Sequence, residues 1–201
     1  MDDAVTGLPD IGDALPLVTT DPRWLPIALD DLDAVHADHL HCERKAASSA
    51  LSLIRSYPER ADLVIAMARL AHDETRHVVQ VSQLMSRRGQ PAAYDFGDDY
   101  AAALREHIRK GEPLRLLDRL LVFAVIEGRS AERLALLAGA LDDAKSRALY
   151  ADLAESEVRH RNIFLSLARD AAPDVWRVRA AELATIEADI LANRAISARI
   201  H

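Results

Sequence analysis

Glu74-Thr75-Arg76-His77 and Glu157-Val158-Arg159-His160 are two copies of one pattern, Glu-x-x-His, set in helix-forming sequence. On a helix, residues three apart share a face, so each copy presents a carboxylate and an imidazole together. Each is preceded by a lone glutamate: Glu43 lies 31 residues before Glu74, and Glu127 lies 30 before Glu157. The midpoint of the first interval falls in Tyr57-Pro58-Glu59 and that of the second in Leu141-Asp142-Asp143, both turn-like stretches. Two residues equidistant from a tight turn stand at the same height on antiparallel helices. Each hairpin therefore sets its own Glu beside its own Glu-x-x-His.

Working outward, the pattern predicts a first long helix from about Pro26 to Ser56, with Leu32, Val35, Leu40, Ala47, Leu51 and Ile54 as its apolar stripe. Pro58 ends it. A second helix runs from about Glu59 to Arg87, stopped by Gly89. Residues 89–112 form a long connection holding a short helix, about Asp98 to Lys110. A third long helix spans about Pro113 to Gly139, a fourth follows the Leu141–Asp143 turn to about Ala171, and Pro173 opens a final one, about Asp174 to Ser197. Residues 1–25, with Pro9, Pro16 and Pro22, read as an irregular arm over a single domain spanning 1–201. The expected architecture is all-α: a four-helix bundle with one long crossover and an additional C-terminal helix, a ferritin-like connection.

Composition agrees. Half of the 201 residues are apolar, only 4% are aromatic, and glycines number seven, which favours close-packed helices. The longest apolar run, Leu120–Ile126, is far too short to span a bilayer. The acidic first twenty residues do not read as a secretory signal. One cysteine, Cys42, excludes an internal disulfide and fits a reducing cytoplasm, the expected location. A net charge of −7 argues against a general nucleic-acid binder.

All six chemically interesting residues fall on apolar stripes. Glu43 lies between Leu40 and Ala47, Glu74 and His77 between Leu70 and Val81, Glu127 between Phe123 and Leu134, and Glu157 and His160 between Leu153 and Phe164. A buried, unpaired carboxylate costs several kcal/mol. Two divalent cations balance four carboxylates, and carboxylate oxygen with one imidazole per metal suits Fe or Mn. Glu43, Glu74, His77, Glu127, Glu157 and His160 are thus the expected ligands of two Fe ions, with Mn as the alternative. The competing account is a buried ion-pair network, in which Arg44, Lys45, Arg129 or Arg133 neutralises the carboxylates. Asp73 is a candidate acceptor for a ligand imidazole. His36, His39, His41 and His72 read as surface residues flanking their helices, with extra metal ligands as the lesser alternative, and Cys42 as a packed thiol. Tyr94, Phe96 and Tyr100 in the crossover read as loop packing, with a substrate mouth as the alternative.

The local sequences resemble a known family. His41-Cys42-Glu43-Arg44-Lys45-Ala46-Ala47-Ser48 and Ile126-Glu127-Gly128-Arg129-Ser130-Ala131-Glu132-Arg133 are similar to the first- and third-helix motifs of the tRNA 2-methylthio-N6-isopentenyladenosine hydroxylases. Arg69–His77 and Glu155–His160 look like that family's two Glu-x-x-His helices. The likeness covers about residues 20 to 190. It implies a non-haem di-iron monooxygenase that hydroxylates the isopentenyl chain of a modified adenosine in tRNA. Dioxygen and external electrons from a redox partner such as a ferredoxin/reductase system would be consumed, and the six residues would be the iron ligands. A basic face of Arg87, Arg88, Arg105, Arg109, Lys110, Arg115 and Arg119 around the crossover would meet the tRNA. The expected assembly is a monomer or dimer without membrane attachment.

The same ligands would serve an oxidase or oxygenase acting on a small molecule, or an iron-handling protein. A metal-free bundle acting as a binding module is the remaining rival. A tyrosyl-radical enzyme is disfavoured, since only Tyr150 lies within reach of a ligand on these stripes.

Overall fold

Two antiparallel hairpins of long helices pack side by side. The structure, a computed structural model, describes residues 11–91 and 93–201. A 3-10 turn, Gly12–Ala14, precedes seven α-helices among the described residues: α1 Trp24–Asp30, α2 Leu32–Ser56, α3 Ala61–Arg87, α4 Asp99–Glu106, α5 Leu114–Ala140, α6 Ala144–Ala171 and α7 Trp176–Ala192. α2 pairs with α3, α5 with α6, and α7 lies against α5, α4 and α6. The crossover through α4 makes this the expected four-helix bundle with an extra final helix.

Local chemistry sets the ends. Asp31, Asp98 and Asp143 accept from the backbone N–H groups of Ala34, Ala101 and Ser146, capping α2, α4 and α6. Gly89 ends α3 at φ +68, with Gly89 N–H on Ser86 O and Gln90 N–H on Met85 O, a Schellman closure that requires the left-handed residue.

Several expectations are corrected. The first helix is two helices, because Asp31 (φ −131, ψ 65) leaves the helical region to cap α2. α3 starts at Ala61, since the Pro58 turn also uses Glu59 and Arg60. α4 stops at Glu106, short of Lys110; the chain turns so that Arg109 N–H reaches the Asp118 carboxylate. α7 ends at Ala192, where the Asn193 side-chain amide folds back onto Asp189 O. Leu51 is exposed; the buried stripe of α2 runs instead through Ala47, Ala50 and Leu53. The first ten residues of the arm lie outside the described residues. From Ile11 the chain lies across α5: Leu15 is buried, Thr20 hydrogen-bonds Glu132 through N and Oγ1 (2.8 and 2.6 Å), and Arg129 donates to Val18 O (2.8 Å).

The apolar core is in two parts. One holds Leu53, Leu63, Met67, Leu117, Leu120 and Leu165. The other holds Val35, Val81, Leu84, Leu134, Leu137 and Leu153. On every long helix the glutamates and histidines of the repeated pattern fall between these two groups. Each buried leucine contributes about 1.5–3 kcal/mol relative to exposure. The bundle can therefore hold a polar layer at its middle.

Candidate metal centre

That layer brings all six sequence-predicted residues together. Glu43, Glu74, His77, Glu127, Glu157 and His160 are each at most 5% exposed. They form two overlapping groups, Glu43, Glu74, His77 and Glu157 in one, Glu74, Glu127, Glu157 and His160 in the other. Within each group the ligand-type atoms lie within 4.8 Å of one another. Glu74 and Glu157 belong to both. Each Glu-x-x-His copy thus offers its carboxylate to a shared position and its imidazole to one side. His77 Nδ1 stands 3.3 Å from Glu43 Oε2 and from Glu74 Oε2, and 3.5 Å from Glu157 Oε1 across the bundle. His160 Nδ1 stands 2.9 Å from Glu74 Oε1 and 3.5 Å from Glu157 Oε2.

The donor set fits a pair of cations. Glu74 Oε1, Glu157 Oε1 and both ring nitrogens of His160 are buried without a hydrogen-bond partner. His160 Nδ1 and Glu74 Oε1 are close, yet not in hydrogen-bond alignment. Buried polar atoms are rarely left so. Unpartnered carboxylate and imidazole atoms gathered within 4.8 Å of one another suit the ligands of a common ion. The electrostatics agree. Burial, then the charge of Glu43, pushes the Glu74 carboxyl up to about 8. Burial with Glu157 raises Glu127 well above the carboxylate range, and burial with Glu74 raises Glu157. Glu43 goes the other way: burial opposes its ionisation, but His39, Glu74 and His77 hold it well below the usual range. Against the cost of burial, Glu43 and Glu74 raise His77 to about 10. Without added positive charge, this layer can ionise only in part.

The ion-pair account fails on geometry. Arg44 and Lys45 both reach Asp95 (2.5 and 3.4 Å). Arg129 grips Glu187 with Nε and Nη2 (2.8 and 3.0 Å) and also pairs with Glu132. Arg133 donates to Ile200 O (3.1 Å) and covers the Trp24 ring. None of the four hydrogen-bonds or ion-pairs with any of the six residues.

Sequence reading missed His39. It is buried, not on the surface, and its Nε2–H donates to Glu43 Oε1 at 2.6 Å, leaving Oε2 facing His77. Its ring stacks on the buried Tyr150 (5.6 Å), as does that of His36, also buried (6.2 Å). The i, i+4 spacing of His39 and Glu43 was the available signal. Asp73 faces His160 Nε2 at 3.8 Å, too far for a hydrogen bond. His72 is exposed, and His41 Nε2 meets Ala93 O (3.0 Å).

A cavity of about 40 Å³ adjoins the layer, bounded by Glu43, Glu127 and Glu157 and by Ala46, Phe123 and Ile126. Cys42, Asp98, Ser130 and His201 form another wall, and Lys45, Ser49 and the exposed Arg105 line its solvent side. Tyr100 is buried, but Tyr94 and Phe96 are 88% and 85% exposed, so they do not pack against the bundle. The basic face does not form one surface either. Arg88 approaches Asp33 (3.8 Å) at one end of α2, while Arg119 donates to Ser52 and Ser56 near the other. At 1.5 Å per residue those points lie about 28 Å apart.

The chain matches the family described as "tRNA-(MS[2]IO[6]A)-hydroxylase (MiaE)" over residues 9–201. The chain belongs to this family. A relative from Pseudomonas putida named "tRNA 2-(methylsulfanyl)-N(6)-isopentenyladenosine(37) hydroxylase" is 43% identical over 186 residues, covering 90% of each chain. One of the same name from Salmonella typhimurium is 29% identical over 228 residues, covering 90% of this chain and 82% of that one. Among solved structures, "Protein 43 with aldehyde deformylating oxygenase activity from Synechococcus" superposes with a TM-score of 0.87 at 37% identity, covering 93% and 95%. The MiaE membership and this neighbour bear out the all-α, ferritin-like fold. No helix among the described residues is long and apolar enough to cross a membrane.

Proposed function

We propose that this MiaE-family chain hydroxylates the isopentenyl side chain of 2-methylthio-N6-isopentenyladenosine in tRNA. The observation that carries this is the pair of overlapping Glu/His groups, found in a chain whose relatives are named for that reaction. Glu74 and Glu157, which belong to both groups, would help to hold each of two iron ions. Glu43 with His77, and Glu127 with His160, would complete the coordination at either side. Such a centre supplies activation of dioxygen with two electrons from an external redox protein: one oxygen atom enters an aliphatic C–H bond and the other leaves as water with two protons.

The chain's own residues do the rest. His39 holds one oxygen of Glu43 and so fixes which oxygen faces the centre. Phe123, Ile126 and Ala46 give the adjoining cavity an apolar wall that suits a branched hydrocarbon. Glu43, Glu127 and Glu157 form its inner wall, so a chain lying there is held against the carboxylate layer.

The structural neighbour's name keeps a second reading, oxygenation of a small aliphatic molecule by the same six residues. Mass spectrometry of tRNA nucleosides from cells with and without the protein separates the two. Hydroxylated prenyl-adenosine that disappears with the protein supports the tRNA reading, and unchanged nucleosides overturn it. Glu127→Ala should abolish the hydroxylation while leaving the helical circular dichroism intact.

A further inference from the structure

The segment that follows α7 returns across the bundle and puts a buried ring into one wall of the cavity. Residues 193–201 lack helix beyond the last turn, yet Ile200 and His201 are buried. The segment is held at a few points: Ile200 N–H donates to Asp38 (2.8 Å), Trp24 Nε1–H to Arg199 O (2.9 Å), and Arg133 to Ile200 O (3.1 Å). These deliver the His201 imidazole onto the Tyr100 ring, stacked at 5.3 Å and 18°. His201 Nε2 meets Ser130 Oγ at 2.8 Å, and Nδ1 faces Asp98 at 3.4 Å.

The space behind it is too small for the proposed substrate. A cavity of about 40 Å³ holds two or three waters, whereas ligand sites usually run to about 300–1,000 Å³. A branched five-carbon chain with its purine fits only if one wall of this cavity moves. Cys42 and Ser130 sit on long helices locked by two cores, while His201 hangs on a short irregular segment. The ring also has the chemistry of what must come in. The ring is flat and stacked on an aromatic face as a purine would be, and the Hoogsteen edge of the substrate base offers the same polar pair, N7 as acceptor for the Ser130 hydroxyl and N6–H as donor to the Asp98 carboxylate.

We propose that the slot between Tyr100, Ser130 and Asp98, filled here by His201, is the subsite for the substrate's purine ring, and that residues 194–201 swing out when the base enters. This rests on the tRNA reading above. A purine in the slot carries its side chain into the cavity that ends at Glu43, Glu127 and Glu157.

The test is binding of an anticodon stem-loop RNA carrying 2-methylthio-N6-isopentenyladenosine, and of the same stem-loop with plain adenosine, to the metal-free full chain. His201→Ala removes the competing ring, its stacking and its hydrogen bond, and should bind the modified stem-loop about tenfold more tightly. His201→Trp, which fills the slot more fully, should bind it more weakly than the unaltered chain. A folding defect lowers binding in both, so a gain in His201→Ala cannot come from one. If the unaltered chain discriminates between the stem-loops but His201→Ala gains nothing or loses affinity, the slot is overturned and the tRNA reading stands. If the unaltered chain does not discriminate, both fall.

Discussion

Glu74 and Glu157 are not equivalent to Glu43 and Glu127. Each of the first two belongs to both overlapping groups, and each of the second two to one. Glu157→Ala should therefore strip both ions, while Glu127→Ala should leave one; elemental analysis of the purified variants measures this. His39 carries a separate prediction. Outer partners of metal ligands typically govern affinity by about 10–100-fold. His39→Ala frees Glu43 Oε1, so chelator competition should find iron held about 10–100-fold more weakly, with no change in stoichiometry. The six central residues were legible because their spacing is redundant: two copies, two turns, matched heights. His39 was not legible, because a histidine beside His36 and His41 reads as a polar helix flank until the partner across the bundle, Tyr150, is in place.

At the scale of elements, a buried ion pair ties α5 to α7 two residues along from Glu127. Arg129 and Glu187 are both fully buried, and Tyr100 donates its hydroxyl to the same carboxylate (3.0 Å). Removing Glu187 leaves the buried Arg129 guanidinium with the part-exposed Glu132 as its carboxylate, at a cost of up to about 3–5 kcal/mol. Glu187→Ala should lower the melting temperature by roughly 6–20 °C. Pairing it with Arg129→Met should recover much of the loss, because the desolvated charge goes too. A melt unchanged by Glu187→Ala would refute this account of α7. The helices themselves were read to within a few residues from periodicity, Pro58, Gly89 and Pro113. The break at Asp31 was missed because a capping aspartate inside an otherwise continuous pattern looks like one more polar helix position. Leu51 was misassigned because an apolar residue one step off the stripe passes for a member of it; the helix buries Ala50 and Leu53 instead.

The whole molecule is two apolar cores enclosing one layer of carboxyl and imidazole groups, which ionises in full only when added positive charge balances it. The same scale decides how RNA meets a chain of net charge −7. The arginines thought to form one face are divided between distant ends, a division sequence could not reveal because the crossover runs the length of the bundle. The exposed rings of Tyr94 and Phe96, on a loop held by Arg44 and Lys45 through Asp95, offer stacking faces instead. Stacking of an unpaired base is typically worth about 1–3 kcal/mol. Tyr94→Ala with Phe96→Ala should weaken stem-loop binding by about tenfold or more while leaving iron content unchanged; equal affinity would remove this loop from the interface. The claim beneath all of these is the shared carboxylate layer. The direct measurement is iron loading of the purified chain followed by Mössbauer and electron paramagnetic resonance spectroscopy. Two irons per chain, magnetically coupled to each other as two sites sharing Glu74 and Glu157 would be, are predicted; one iron, or two that behave independently, would contradict the account.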